Sequence, residues 1–134
     1  MQVSHMMSNR LVTVEMDDKI SLVKDIFNHS KLHHLPVVEN HQLVGLVSER
    51  DLLRALNPNV DNPLAKDSEL VCLNKRVHQI MSRKVITITA DSSLAQAASL
   101  LVERNIGCLP VLRDNQLVGI LTWKDVLKSF ITKA

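Results

Sequence analysis

Apolar and polar positions change period in a set order along this chain, and the order occurs twice. Leu11 to Val14 and Val85 to Thr89 mix β-branched and aliphatic residues, which predicts two short strands. An acidic turn follows each, at Asp17 and at Asp91. Leu94, Ala97, Ala98 and Leu101 then recur at helical spacing and predict one buried helix face, with Ile20, Val23 and Phe27 as the sparser counterpart. Leu35 to Val38 and Leu43 to Val47 are apolar runs parted by the polar turn Glu39-Asn40-His41-Gln42, and Arg113-Asp114-Asn115-Gln116 divides a matching pair, so two hairpins are expected. A last helix, Glu49 to Leu56 or Trp123 to Phe130, closes each unit, giving β-α-β-β-α twice.

The two halves are copies. Slid against itself by 74 residues without a gap, the stretch 6–56 matches 80–130 at thirteen of fifty-one positions. Composition alone would give roughly 6–9% identity, so the excess marks a duplication. The matches include Met7-Ser8 with Met81-Ser82, Leu35-Pro36-Val37 with Leu109-Pro110-Val111, and Gln42-Leu43-Val44-Gly45 with Gln116-Leu117-Val118-Gly119. Pro58, Pro63 and Asn57, Asn59 and Asn62, followed by the apolar patch Leu70-Val71-Cys72-Leu73, mark the stretch between the copies as a linker, part loop and part packed segment. The expected organisation is repeat 1 at 5–56, linker at 57–79 and repeat 2 at 80–132. Neither copy is long enough for a robust core alone, so the expected fold is α+β, with the two repeats packed sheet to sheet about a pseudo-twofold axis.

With 134 residues, 46% of them hydrophobic and only 2% aromatic, that core must be built from Leu, Val and Ile, with Ala and Met filling gaps. A net charge of +2, evenly mixed, does not suggest a nucleic-acid partner. No apolar run approaches the ~20 residues of a membrane span and no signal-peptide pattern opens the chain, so a cytoplasmic location is expected. The copies differ in charge: 6–56 carries net −1 and 80–134 net +3.

Phosphate-binding glycine loops, zinc-protease motifs and nucleophile elbows are all missing from the sequence, and no catalytic constellation replaces them. His29 and His33 would suit a metal only if one helix carried both, and the first helix is expected to end near Ser30. Cys108, before Leu109-Pro110, reads as a small core residue. The segment most like a site is Gly45-Leu46-Val47-Ser48-Glu49-Arg50-Asp51 with its twin Gly119-Ile120-Leu121-Thr122-Trp123-Lys124-Asp125. A hydroxyl followed three residues later by an acid is a capping box. The same helix start, flanked by Arg50 or Lys124, also favours an anion, with phosphate suiting the hydroxyl and ribose suiting the carboxylate. Both readings stand on the residues alone.

The duplicated pattern, the Leu-Pro-Val elements and both G-h-h-[ST]-x-x-D segments resemble a tandem cystathionine-β-synthase (CBS) domain pair, the Bateman module, over about residues 5–132. That resemblance implies a free-standing regulatory module. It implies binding of AMP, ADP, ATP or S-adenosylmethionine in clefts between the repeats, and a homodimer that signals to a protein target the sequence does not reveal. Carried over by position, the ribose-binding acids are Asp51 and Asp125 and the phosphate-side hydroxyls are Ser48 and Thr122, beside Arg50 and Lys124. Residues lining the adenine would be Thr13, Val14, His34 and Pro36 in one copy and Thr87, Ile88, Cys108 and Pro110 in the other. Glu49 and His33-His34 stand where the second copy has Trp123 and Gly107-Cys108, so the sites are not expected to be equivalent, and the more basic Thr122–Asp125 site is favoured for an anion. Exposed helical Leu22, Ile26, Leu53, Leu127 and Ile131 are expected to form the dimer face. The competing reading is a dimerisation module whose repeated motifs only cap helices; an enzyme is not expected, since hydroxyl–acid pairs without a base or metal define no reaction.

Overall fold

A computed structural model describes residues 1–132. The chain divides into two compact units, Thr13–Lys84 and Met1–Val12 with Val85–Ala134. The first unit comprises α1 (Ile20–Asn28), the hairpin β1 (His34–Glu39) and β2 (Gln42–Ser48), α2 (Glu49–Ala55) and the short α3 (Asp67–Leu70). The second comprises β3 (Ile88–Thr89), α4 (Leu94–Glu103), the hairpin β4 (Cys108–Arg113) and β5 (Gln116–Thr122), and α5 (Trp123–Thr132). Mixed helix and strand with two small sheets is the α+β class.

The hairpins form where expected because their two central residues accept left-handed backbone: Asn40 and His41 have φ of 51° and 66°, Asp114 and Asn115 of 51° and 63°. Such turns match the right-handed twist of the flanking strands. In both hairpins the register slips by one residue past Val37 or Val111. The predicted first strands shrink. Leu11 to Val14 makes only a single parallel bridge, Val14 to Val37, and Val85 to Thr89 leaves the two-residue β3 beside Val111 and Leu112. The acidic turn begins at once after Val14, where the Glu15 amide donates to Asp18 Oδ2 at 2.8 Å, and ends the pairing.

Helix faces follow the spacing in the sequence. Ile20, Val23 and Phe27 of α1 join Val14, Leu35, Val37, Val47, Leu52 and Val77 in one core. Leu94, Ala97 and Leu101 of α4 join Val3, Ile88, Ala90, Leu109, Val111 and Leu121 in the other.

Val3 and Val77 reveal a feature the repeat boundaries do not. Both are fully buried, each in the unit that holds the other copy's hairpin. Ser8 exchanges backbone hydrogen bonds with Ile120, both 2.9 Å, and Ser82 does so with Leu46 at 2.9 and 3.0 Å. The carbonyls of Met1 and Lys75 accept from the first-turn amides of Leu94 and Ile20, each at 2.9 Å, serving as backbone caps. Gly45 and Gly119 permit this docking: a Cβ on Gly119 would stand 2.5 Å from Met7 Sδ and 3.0 Å from the Ser8 carbonyl, and one on Gly45 would stand 2.7 Å from Met81 Sδ. The matched Met-Ser and Gly positions are therefore one contact made twice.

Candidate functional site

Each G-h-h-[ST]-x-x-D segment runs from the end of a hairpin strand into a helix, making a corner within a single unit. In the first, the β1–β2 register sets His34 opposite Ser48. The Ser48 amide donates to Asp51 Oδ2 at 2.9 Å and the Asp51 amide to Ser48 Oγ at 3.1 Å, a reciprocal capping box. Glu49 N donates to the His33 carbonyl at 3.0 Å. Two first-turn amides are thereby satisfied, and the Arg50 amide between them has no protein partner among the described residues. Ser48 Oγ accepts a bond without donating one, so its proton is free for a ligand oxygen.

In the second corner Cys108 lies opposite Thr122. Thr122 N donates to Asp125 Oδ2 at 2.9 Å, and Asp125 N donates to Thr122 Oγ1 at 3.3 Å. Thr122 Oγ1 also donates to Asp125 Oδ2 at 3.2 Å, so this hydroxyl proton is already engaged. Trp123 N reaches the Gly107 carbonyl at 3.3 Å. In both corners the capping bonds fall on Oδ2, and Oδ1 of Asp51 and of Asp125 has no protein partner among the described residues. Capping and ligand binding are thus compatible, since the box uses only half of each carboxylate.

The remaining candidates lie in the same two units. Val14 N donates to the Pro36 carbonyl at 3.1 Å, and Val38 N to the Val14 carbonyl at 3.0 Å, which sets exposed Thr13 beside the strand that carries His34. Ile88 pairs with Val111, next to Pro110, and half-buried Thr87 precedes it. Val14, Pro36, Ile88, Cys108 and Pro110 are buried, while Arg50 and Lys124 are exposed. Trp123, the first residue of α5, is 59% exposed.

The corners differ in electrostatics. His33 Nδ1 lies 3.2 Å from Glu49 Oε1. Burial, and then the neighbouring His33, hold the half-buried His34 below the ordinary imidazole value, against the opposing pull of Asp51 and Glu49. The equivalent Cys108 has its thiol pushed up to about 12 by burial and stays uncharged. No metal pair forms from His29 and His33: α1 stops at Asn28 and the His29 ring turns back to the Asp25 carbonyl at 2.8 Å. No cluster of three or more His, Cys, Asp or Glu capable of holding a metal occurs among the described residues.

Exchange of the docked segments moves Arg10 to one unit and Arg83 and Lys84 to the other. Thr13–Lys84 holds ten basic and ten acidic residues, the other unit six and four. The contrast between −1 and +3 read along the repeats becomes 0 against +2. The docking roles of Met7 and Met81 were not assigned from sequence, although their match at the same offset as the glycines was a visible signal. The His33–Glu49 contact had no such signal, because it exists only once the hairpin folds.

The CBS domain model matches residues 3–58 and 77–132. A CBS domain-containing protein of Dictyostelium discoideum is 33% identical over 135 residues, covering 96% of this chain and 90% of that protein. Other relatives are longer, and the chain spans 35% and 30% of two from Methanocaldococcus jannaschii. Among solved structures, the CBS domain pair of protein MJ0100 in complex with 5′-methylthioadenosine and S-adenosyl-L-methionine superposes with a TM-score of 0.81 at 27% identity, covering 100% of this chain and 98% of that one. CBSX2 in complex with AMP gives 0.81 at 29% identity over 98% and 97% of the two chains. No helix among the described residues is long and apolar enough to cross a membrane.

Proposed function

The chain belongs to the CBS domain family, and from that membership we propose that it is a regulatory module whose two corners bind adenosine-containing ligands: AMP, ADP, ATP or S-adenosylmethionine. The observation that carries this reading is the spare Oδ1 on Asp51 and on Asp125, each held in place by a capping box that consumes only Oδ2. A positioned carboxylate oxygen with no protein partner suits the two hydroxyls of a ribose. The relatives that bind AMP and S-adenosylmethionine support the same ligand class. The Ser48 hydroxyl, whose proton is free, and the exposed Arg50 or Lys124 would serve the phosphate or the carboxylate of the methionine tail.

Signalling through a homodimer completes the proposal. Leu22, Leu53, Leu127 and Ile131 are 43%, 68%, 49% and 74% exposed, which leaves apolar surface for a second copy to cover. Ile26 is half-buried against the core of its own unit and is better placed there than in a dimer face.

Calorimetry with all four ligands on nucleotide-free protein tests the reading. Asp51→Asn and Asp125→Asn retain a capping acceptor and remove the charge, so they separate ligand binding from helix stability. Each should cost about ten- to a hundredfold in affinity at its own corner. The larger loss is expected at Asp125, in the unit with the positive balance. Binding unchanged in both variants would remove the carboxylates from the site. Silence with every ligand would leave the dimerisation module, which light scattering detects independently.

A further inference from the structure

We propose that His34 makes ligand binding at the Ser48–Asp51 corner proton-linked, so that acidification favours an anionic adenosine ligand there over an uncharged one, while the Thr122–Asp125 corner does not respond. The inference rests on the adenosine-ligand reading above and specifies how one of the two sites is regulated. Its basis is a cluster of titratable groups found in one unit only. The hairpin register holds His34 against Ser48, and the capping box fixes Asp51 one turn further on. The groups that act on His34 are His33 on its own chain segment and Glu49 and Asp51 on α2, with exposed Arg50 between those two acids. Glu49 is drawn toward His33, at 3.2 Å.

Without ligand, burial disfavours the charged imidazole and His34 is neutral around neutral pH. A bound phosphate adds negative charge at the corner and favours the imidazolium, so binding draws a proton onto His34. A ligand of the same shape without phosphate adds burial but no charge and draws none. At the other corner the equivalent residue is Cys108, whose thiol titrates only near 12, and Gly107 and Trp123 replace His33 and Glu49. Among those three matching positions no group changes charge between about pH 5.5 and about pH 8.

The experiment is calorimetry on the full chain with AMP and with 5′-methylthioadenosine, between about pH 8 and about pH 5.5, in buffers of different ionisation enthalpy. AMP binding should take up more protons in the parent than in His34→Gln, a subtraction that removes the phosphate's own protonation. Relative to that variant, the parent's AMP affinity should rise by about three- to tenfold toward the acid end. 5′-Methylthioadenosine should show no uptake. Because His34→Gln replaces a half-buried residue, the imidazole Cε1–H resonance of His34 in the unaltered protein supplies a second measurement. Its titration midpoint should move up with AMP and not with 5′-methylthioadenosine. Equal proton uptake in parent and variant, or a midpoint unmoved by bound AMP, overturns the proton linkage and leaves adenosine binding intact. If neither ligand binds at any pH, the linkage falls, and the calorimetry with all four ligands described above decides whether the adenosine-ligand reading falls with it.

Discussion

Replacing Gly119 with Ala should destabilise the protein, although local propensity argues for the opposite sign. Gly119 sits inside β5 with ordinary negative φ, so Ala would normally gain about 0.4–1 kcal/mol by restricting the unfolded chain. Against that gain, the new Cβ would meet Met7 Sδ at 2.5 Å, Met7 Cγ at 3.0 Å and the Ser8 carbonyl at 3.0 Å. Met7 can turn away at the cost of its packing. The Ser8 carbonyl cannot, because it accepts from Ile120 N at 2.9 Å and its own amide donates back at 2.9 Å. Overpacking of this kind costs about 1–3 kcal/mol, so the net loss should be about 1–2 kcal/mol. Urea unfolding followed by circular dichroism reads this as a lower midpoint at unchanged slope. A double-mutant cycle with Met7→Ala isolates the contact: removing the thioether should recover part of the loss, with a coupling of about 0.5–1 kcal/mol. A neutral or stabilising Gly119→Ala would mean that the Met-Ser segment does not dock on β5 as described, and additivity would mean that Met7 is not the neighbour that matters.

His41→Gly should raise stability by about 0.5–1 kcal/mol, visible as a higher urea midpoint, since His41 has φ of 66° in a hairpin turn that favours glycine at its second position. Thiol reagents at about pH 8 should modify half-buried Cys72 well before Cys108, whose buried thiol is held near 12; equal rates would contradict the placement of Cys108 in the core. Below pH 6.5 the unfolded chain protonates His34 more readily than the folded one, so this residue contributes stability above that value that is lost on acidification. His34→Gln should flatten the fall of the urea midpoint with decreasing pH, and an unchanged slope would refute the burial argument.

Much of the local architecture was legible in the chain. Both amphipathic helices, both hairpins and both capping boxes depend on residues within a few positions of one another. Spacing of Leu94, Ala97 and Leu101, left-handed Asn and Asp at the turns, and a hydroxyl three residues before an acid each specify their element locally. The candidate corners were legible for the same reason, since strand end, hydroxyl and carboxylate are consecutive. Duplication doubled the signal, because chance seldom writes the same motif twice at one offset. The first strands were overread: β-branched character predicts extended backbone, but a strand also needs a partner, and the parallel neighbour pairs with only one residue at Val14 and two at Ile88–Thr89.

What only the tertiary structure decided is which distant segments complete each unit. Val3 and Val77 look like unremarkable flanking residues in sequence, yet each is wholly buried in the unit holding the other copy's hairpin. Because the copies are so alike, periodicity cannot say whether a Met-Ser segment docks on its own hairpin or on its twin, and the choice rests on chain path and packing. The same exchange redistributed charge between the units and reduced a contrast that had looked larger along the chain. It also explains Gly45 and Gly119, whose identity records the close approach of a backbone 37 or 111 residues away in the chain, at Ser82 and at Ser8. Likewise, the composition of His33, His34, Glu49 and Asp51 was visible in sequence, but only the hairpin register brings them to one corner and lets burial act on His34. Local sequence determines short-range hydrogen bonds and apolar faces; charge coupling and burial depend on distances that exist only in the folded chain.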